Sequence, residues 1–270
     1  MVYPQKRLGQ VFLKDKNILK KIVEAGQIKR EDLVLEIGPG TGVLTEALLL
    51  AGARVIAVEK DRNLAKYLEE RLQHNCHLTI IQADILDFFK NPKFKNLKLK
   101  IKNHKIIGNI PYYLTSRLIR LILEQKIKPK LIILMIQKEV AQRIASQPPK
   151  MNLLAAATQF YANPEIISYV PQTAFWPKPK VNSAIIKLTP KNTALNTNKK
   201  QIELFFKTIK AGFSQPRKLL INNLHSGLKI EKSALEKIFL LKNLPLNSRA
   251  QNLDLQNWIK LSQQLNSCLK

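Results

Sequence analysis

The chain has 270 residues and a mass of 30.9 kDa, enough for one large domain or two smaller ones. Its 45% hydrophobic and 24% charged residues exclude a disordered or fibrous chain. Lys and Arg total 45 against 19 Asp and Glu, and the net charge of +26 points to a polyanionic partner, most simply nucleic acid.

The first residues, MVYPQKRLGQ, lack the apolar core of a signal peptide, and no apolar run approaches the ~18 residues needed to span a bilayer. A cytoplasmic protein is expected, with no membrane partner. A helix is predicted over 18–26, a buried strand over 33–37 ending in a glycine loop, and a helix over 42–51. Strands follow at 54–58, 78–82, 104–108 and 131–136, with helices at 62–74, 115–125 and 138–146. The segment 90–105 carries seven Lys and no acid, and reads as a solvated loop. No element is read between 147 and 180, and a last strand is predicted over 181–188. The polar stretch 189–201 reads as a linker. Beyond it, 202–212, 216–224, 231–242 and 252–265 have helical periodicity. Strands alternating with helices indicate an α/β fold with a mainly parallel sheet, followed by a small all-helical domain. The boundaries expected are 1–190 and 191–270.

Cys76 and Cys268 lie far apart and read as free thiols. His74, His77, His104 and His225 show no ligand spacing, and no metal site is expected.

The glycine loop runs Glu36-Ile37-Gly38-Pro39-Gly40-Thr41-Gly42. Glycines at a strand-to-helix turn let a ligand approach the backbone. The spacing is neither the dinucleotide G-x-G-x-x-G nor a P-loop. The acid before the loop would repel a pyrophosphate but suits a ligand carrying positive charge. Glu59 ends the second strand, where a carboxylate can accept from both hydroxyls of a ribose. Asp84 follows the third and can accept from an adenine amino group. Together these describe S-adenosylmethionine.

The fourth strand ends at Asn109-Ile110-Pro111-Tyr112, on the carboxyl edge of the sheet. An exocyclic adenine nitrogen is a poor nucleophile, because its lone pair is delocalised into the ring. An amide oxygen and a neighbouring carbonyl can accept its two protons and localise that lone pair for in-line attack on a methyl. No strong base is needed. Tyr112 can stack on a flipped base.

The N-I-P-Y motif after a G-x-G-x-G loop resembles the ribosomal RNA adenine N6,N6-dimethyltransferases. G-Q-V-F-L (9–13), Q-K-E-V-A-Q-R (137–143), F-W-P-K-P-K-V-N-S (175–183) and R-K-L-L-I-N-N-L (217–224) resemble further motifs of that family. The resemblance covers residues 5 to about 250. It implies a Rossmann-like class I methyltransferase domain with a seven-stranded sheet, S-adenosylmethionine as donor, and a monomer acting on small-subunit ribosomal RNA in an assembling particle. It places Leu13, Gly38, Gly40, Glu59, Asp84 and Asn109 against the cofactor. Asn109 would also hold the target amino group, within the motif completed by Ile110, Pro111 and Tyr112. Tyr112 and Phe175 would sandwich the adenine. The helical domain, with Arg217 and Lys218, would dock RNA.

Val11 departs from the Asn or His usual in the family, which leaves its backbone as the contact with the cofactor. Two alternatives stand beside the small-subunit enzyme: a large-subunit enzyme of the macrolide-resistance type, and a non-catalytic ribosome-assembly factor. Read without the resemblance, Phe175 and Trp176 are core aromatics, Asp84 is a helix cap, and Arg217 and Lys218 are a solvated helix face.

Overall fold

The apolar runs LVLEI, RVIAVE and LIILMIQ form strands whose interior residues are almost wholly buried, as expected where helices cover both faces of a parallel sheet. In a computed structural model that describes residues 4–5, 10–91, 104–111, 114–191 and 198–268, these strands lie near the centre of a seven-stranded sheet. Two compact units are formed by the described residues: one within Met1–Ala141 and Asn163–Pro190, the other within Gln142–Ala162 and Lys191–Lys270.

In the first unit, β1 (Phe12–Leu13) precedes α1 (Lys16–Ala25), which is capped by Asp15. Then come β2 (Leu33–Ile37), α2 (Val43–Leu50), β3 (Arg54–Glu59), α3 (Arg62–Leu72), β4 (Leu78–Gln82) and α4 (Ile85–Lys90). They are followed by β5 (Lys105–Asn109), α5 (Thr115–Leu123), β6 (Leu131–Gln137) and α6 (Lys138–Ile144), the last ending in the second unit. Beyond α7 (Leu153–Tyr161) of the second unit come β7 (Ala162–Val170), β8 (Phe175–Trp176) and β9 (Ser183–Pro190).

The sheet order is β4-β3-β2-β5-β6-β9-β7. The first five strands are mutually parallel, and β9 runs antiparallel to β6. Strand order reverses beside β2, which has β3 on one side and β5 on the other. The crevice beyond the carboxyl ends of these three strands is where such sheets bind ligands. Glu36, Glu59 and Asn109 all come from there.

The second unit contains α7, α8 (Lys199–Gly212), α9 (Leu220–Leu228), α10 (Lys232–Leu241) and α11 (Leu255–Leu265). Phe160 stacks on Phe205 with ring centroids 4.3 Å apart, and Trp258 is fully buried beside Phe213. A Cβ on Gly212 would collide with the Trp258 ring, so that helix end needs a glycine. Asn223 donates to Gly212 O at 2.7 Å and Gln215 O at 2.9 Å, tying α9 to the end of α8.

Besides the residues after Pro190, the helical unit takes in the segment 142–162, which the sequence places with the sheet. The Gln159 amide donates to Ile144 O and Ser146 O, and Lys191 Nζ donates to Gln159 O. The helix predicted at 216–224 starts four residues later, because Pro216 to Lys218 form a turn closed by Lys218 N–H on Gln215 O. Both α7 and β7 fall in the stretch where the sequence predicts no element. The Lys-rich stretch 92–103 and the linker residues 192–197 lie outside the described residues.

Candidate active site

Gly38 and Gly40 have φ of +65° and +59°, conformations that an L side chain resists. The turn they make brings the Gly40 N–H 3.1 Å from Glu59 Oε2, while the Asp61 N–H donates to Glu59 Oε1 at 2.8 Å. Burial pushes the Glu59 carboxyl up, and these two N–H groups hold it back. Each oxygen keeps a lone pair for a further donor.

Glu36 is fully buried, and neither carboxylate oxygen has a hydrogen bond of good geometry. Burial pushes its carboxyl up to about 8; the nearby Thr45 hydroxyl offsets part of this, and the charge of Glu59 adds to it. A buried, unsatisfied carboxyl on a pocket wall is a costly group to keep without a ligand.

Asp84 caps α4 by accepting from Leu86 N–H at 2.8 Å, and pairs with Lys60 at 2.9 Å. Burial opposes ionisation, but the hydrogen bonds from Lys60 and Leu86 outweigh it and hold the carboxyl below its usual range. Asp84 is thus a helix cap, and its second oxygen already carries an ammonium.

Asn109 ends β5, and its Nδ2 donates to the Val11 carbonyl at 3.0 Å. That bond occupies the donor side of the amide and leaves Oδ1 as an acceptor. The strap that carries Val11 is fixed from two sides. Phe12 and Leu13 pair antiparallel with Trp176 and Phe175, and Gln10 Nε2 donates to Asp61 Oδ2 at 2.9 Å. Gln5 Nε2 reaches the same oxygen at 2.9 Å, while Asp61 Oδ1 caps α3. Thus Phe12-Leu13 and Phe175-Trp176, far apart in sequence, meet as one two-stranded ladder.

One pocket is lined by Val11, Leu13, Gly38, Gly40, Glu59, Asp84, Asn109, Ile110 and Pro111, all expected from the sequence, and also by Gln10, Phe12 and Glu36. Tyr112 lies outside the described residues. Phe175 is 2% exposed and packed in the core with Leu13, Ala174 and Ile185, and it is not among the residues that line this pocket. Alternation along the strand turns Phe175 inward and Trp176 outward. Arg217 and Lys218 are exposed in the turn before α9 of the helical unit. The Gln10–Asp61 bond has no signal in the sequence. Asp61 stands one residue before the helix predicted at 62–74, and no spacing announces a partner 51 residues away.

A family profile described as "Ribosomal RNA adenine dimethylase" matches residues 3–261. The chain belongs to the ribosomal RNA adenine dimethylase family. A "Ribosomal RNA small subunit methyltransferase A" of Dehalococcoides mccartyi is 39% identical, over 95% of this chain and 87% of its own. Two crystal structures also match, each with a TM-score of 0.75. A dimethyladenosine transferase from Plasmodium falciparum is 26% identical, with 95% of this chain and 98% of that one covered. The 23S rRNA methyltransferase ErmE is 25% identical, with 94% and 99% covered. Both structures share the class I methyltransferase fold seen here. No helix among the described residues is long and apolar enough to cross a membrane.

Proposed function

We propose that this protein transfers methyl groups from S-adenosylmethionine to N6 of two adjacent adenosines near the 3′ end of small-subunit ribosomal RNA, within an assembling particle. The observation that carries the chemistry is the Asn109 amide, held by Val11 O so that its oxygen is left to accept from an amino group. The small-subunit target follows from the 39% identity to a small-subunit enzyme, against 25% to the 23S enzyme.

The residues present fit the donor. Glu36 offers a buried carboxyl that a positively charged ligand would draw into its ionised form, and Glu59 has acceptor capacity for ribose hydroxyls. The Gly40 turn lets the ligand lie close to the backbone. Asp84, which caps α4 with one oxygen and holds Lys60 with the other, keeps a second lone pair on each to receive the adenine edge. S-adenosylmethionine supplies an electrophilic methyl on a sulfonium. The chain's own part is positioning. Asn109 Oδ1 accepts from the target amine and localises its lone pair. The amine proton becomes acidic only after attack, so no strong base is required. The departure at Val11 is one of side chain, and the atom that holds Asn109 is its carbonyl.

The deciding experiment is mass spectrometry of ribosomal RNA incubated with the protein and S-adenosylmethionine. N6,N6-dimethyladenosine in unmethylated small-subunit particles, and none in protein-free large-subunit RNA, is the expected result. Product in the large-subunit RNA alone would replace this reading with a resistance-type enzyme. No product in either, with particle binding retained, would leave an assembly factor.

A further inference from the structure

Trp176 is 46% exposed, although its neighbour on the same short strand is buried. Its partner across the ladder is Phe12, with ring centroids 6.4 Å apart and planes 32° from parallel. Phe12 lines the pocket, and the residue before it holds Asn109. The indole therefore lies one ring outward from the wall of the candidate active site.

Its surroundings are basic. Lys14, exposed, donates its backbone N–H to Ala174 O at 2.9 Å, so the strap continues along the ladder past the indole's strand. Lys178 and Lys180, both on the segment just after Trp176, alternate with Pro177 and Pro179. The segment bends after the indole and is tied back by Gln172 Nε2 on Lys180 O at 3.0 Å, with Lys178 and Lys180 both exposed. Asp15, which follows Lys14, is engaged in capping α1 through Asn17 and Ile18 N–H, and Glu165, the acid nearest to Trp176 in sequence, pairs with Lys187. An exposed indole amid lysines has the composition of a single-strand nucleic-acid platform: a π-face for a base and cations for its phosphates.

We propose that Trp176 is a stacking site for a nucleotide flanking the target adenosine. This rests on the reading that the substrate is RNA. The target base itself must reach Asn109 in the pocket wall, and Phe12 stands between that wall and the indole. The base taken by Trp176 is thus a neighbour in the strand. Such a contact holds the single strand beside the pocket and acts on RNA binding, with no part in methyl transfer.

The chain has two tryptophans, and Trp258 is fully buried, so quenching by added RNA reports Trp176. The probe is a single-stranded RNA of about a dozen nucleotides containing two adjacent adenosines. The expected result is saturable quenching in the wild type. Trp176→Leu should raise the RNA KM on the order of tenfold, with Trp176→Phe much closer to wild type. The S-adenosylmethionine Kd and the kcat at saturating RNA should hold. A Leu variant with wild-type RNA KM overturns the proposal. So does a shift in cofactor Kd with RNA KM unchanged, which would assign the indole to packing on Phe12. Wild-type protein that is quenched by RNA but makes no dimethyladenosine in unmethylated small-subunit particles defeats the proposed activity and leaves the stacking site standing.

Discussion

Asn109 Nδ2 lies 3.0 Å from the Val11 carbonyl oxygen, so the amide of the N-I-P-Y motif is oriented by the backbone of the N-terminal strap. A carbonyl can only accept, which decides which end of the amide faces the strap. In Asn109→Asp both side-chain atoms become acceptors, and the carboxylate is repelled by Val11 O. The expected kcat loss is on the order of a hundredfold or more, the size seen when one preorganised hydrogen-bonding group is removed. Asn109→Ala should lose a similar amount, with cofactor affinity changed far less. Single-turnover methylation beside calorimetric titration of S-adenosylmethionine separates the two effects. Equal losses in binding and turnover would mean that Asn109 serves the cofactor alone.

The strap's other anchor is Asp61 Oδ2, which accepts from Gln5 and Gln10 while Oδ1 caps α3. Asp61→Asn keeps a good cap but turns an NH2 group toward two donors. The helix should survive and the strap should loosen. Hydrogen bonds to a charged group contribute about 1.5–3 kcal/mol each, so losing both should weaken the cofactor Kd on the order of a hundredfold or more and lower Tm. Titration and limited proteolysis at the strap check this. Unchanged affinity would show that the strap docks without Asp61.

Glu36 makes the site sensitive to pH. Its carboxyl is raised to about 8 from an ordinary 4.5, so between these values the unfolded chain ionises Glu36 while the folded protein keeps it protonated. The unfolded state then binds fewer protons, and stability falls as pH rises from about 4.5 to about 8. Glu36→Gln should remove that slope and gain more stability at pH 8 than at pH 5, by urea unfolding of the ligand-free protein. Binding a cation favours the carboxylate. S-adenosylmethionine affinity should therefore rise toward pH 8 with release of a proton in the wild type, and stay flat in the variant. A wild type showing no proton release would separate Glu36 from the cationic part of the donor.

Much of the fold is legible in the sequence because buried parallel strands are short continuous apolar runs, and the helices between them have amphipathic periodicity. The polar groups of the pocket are legible for the same reason: Glu36 and Asn109 interrupt or end apolar strands. β7 escapes because Pro164 argues against a strand, yet β7 is at the edge of the sheet, where proline is tolerated. The β1–β8 ladder has two residues on each side, too few for any period. It is nonetheless what separates Phe175, buried, from Trp176, exposed, a difference that a pair of adjacent aromatics does not announce.

Arg217 and Lys218 stand exposed in a turn held by Lys218 N–H on Gln215 O. If they bind phosphates, removing each one should lower the slope of log K against log salt by about 0.7–0.9. The double variant Arg217→Ala, Lys218→Ala should then reduce the slope by about one and a half, measured by anisotropy of labelled small-subunit RNA over a range of salt. Cofactor binding and Tm should hold, since both side chains are solvated. The rest of the +26 charge would keep the remaining salt dependence steep. A slope equal to wild type would return the two residues to an ordinary solvated surface and move RNA docking elsewhere on the chain.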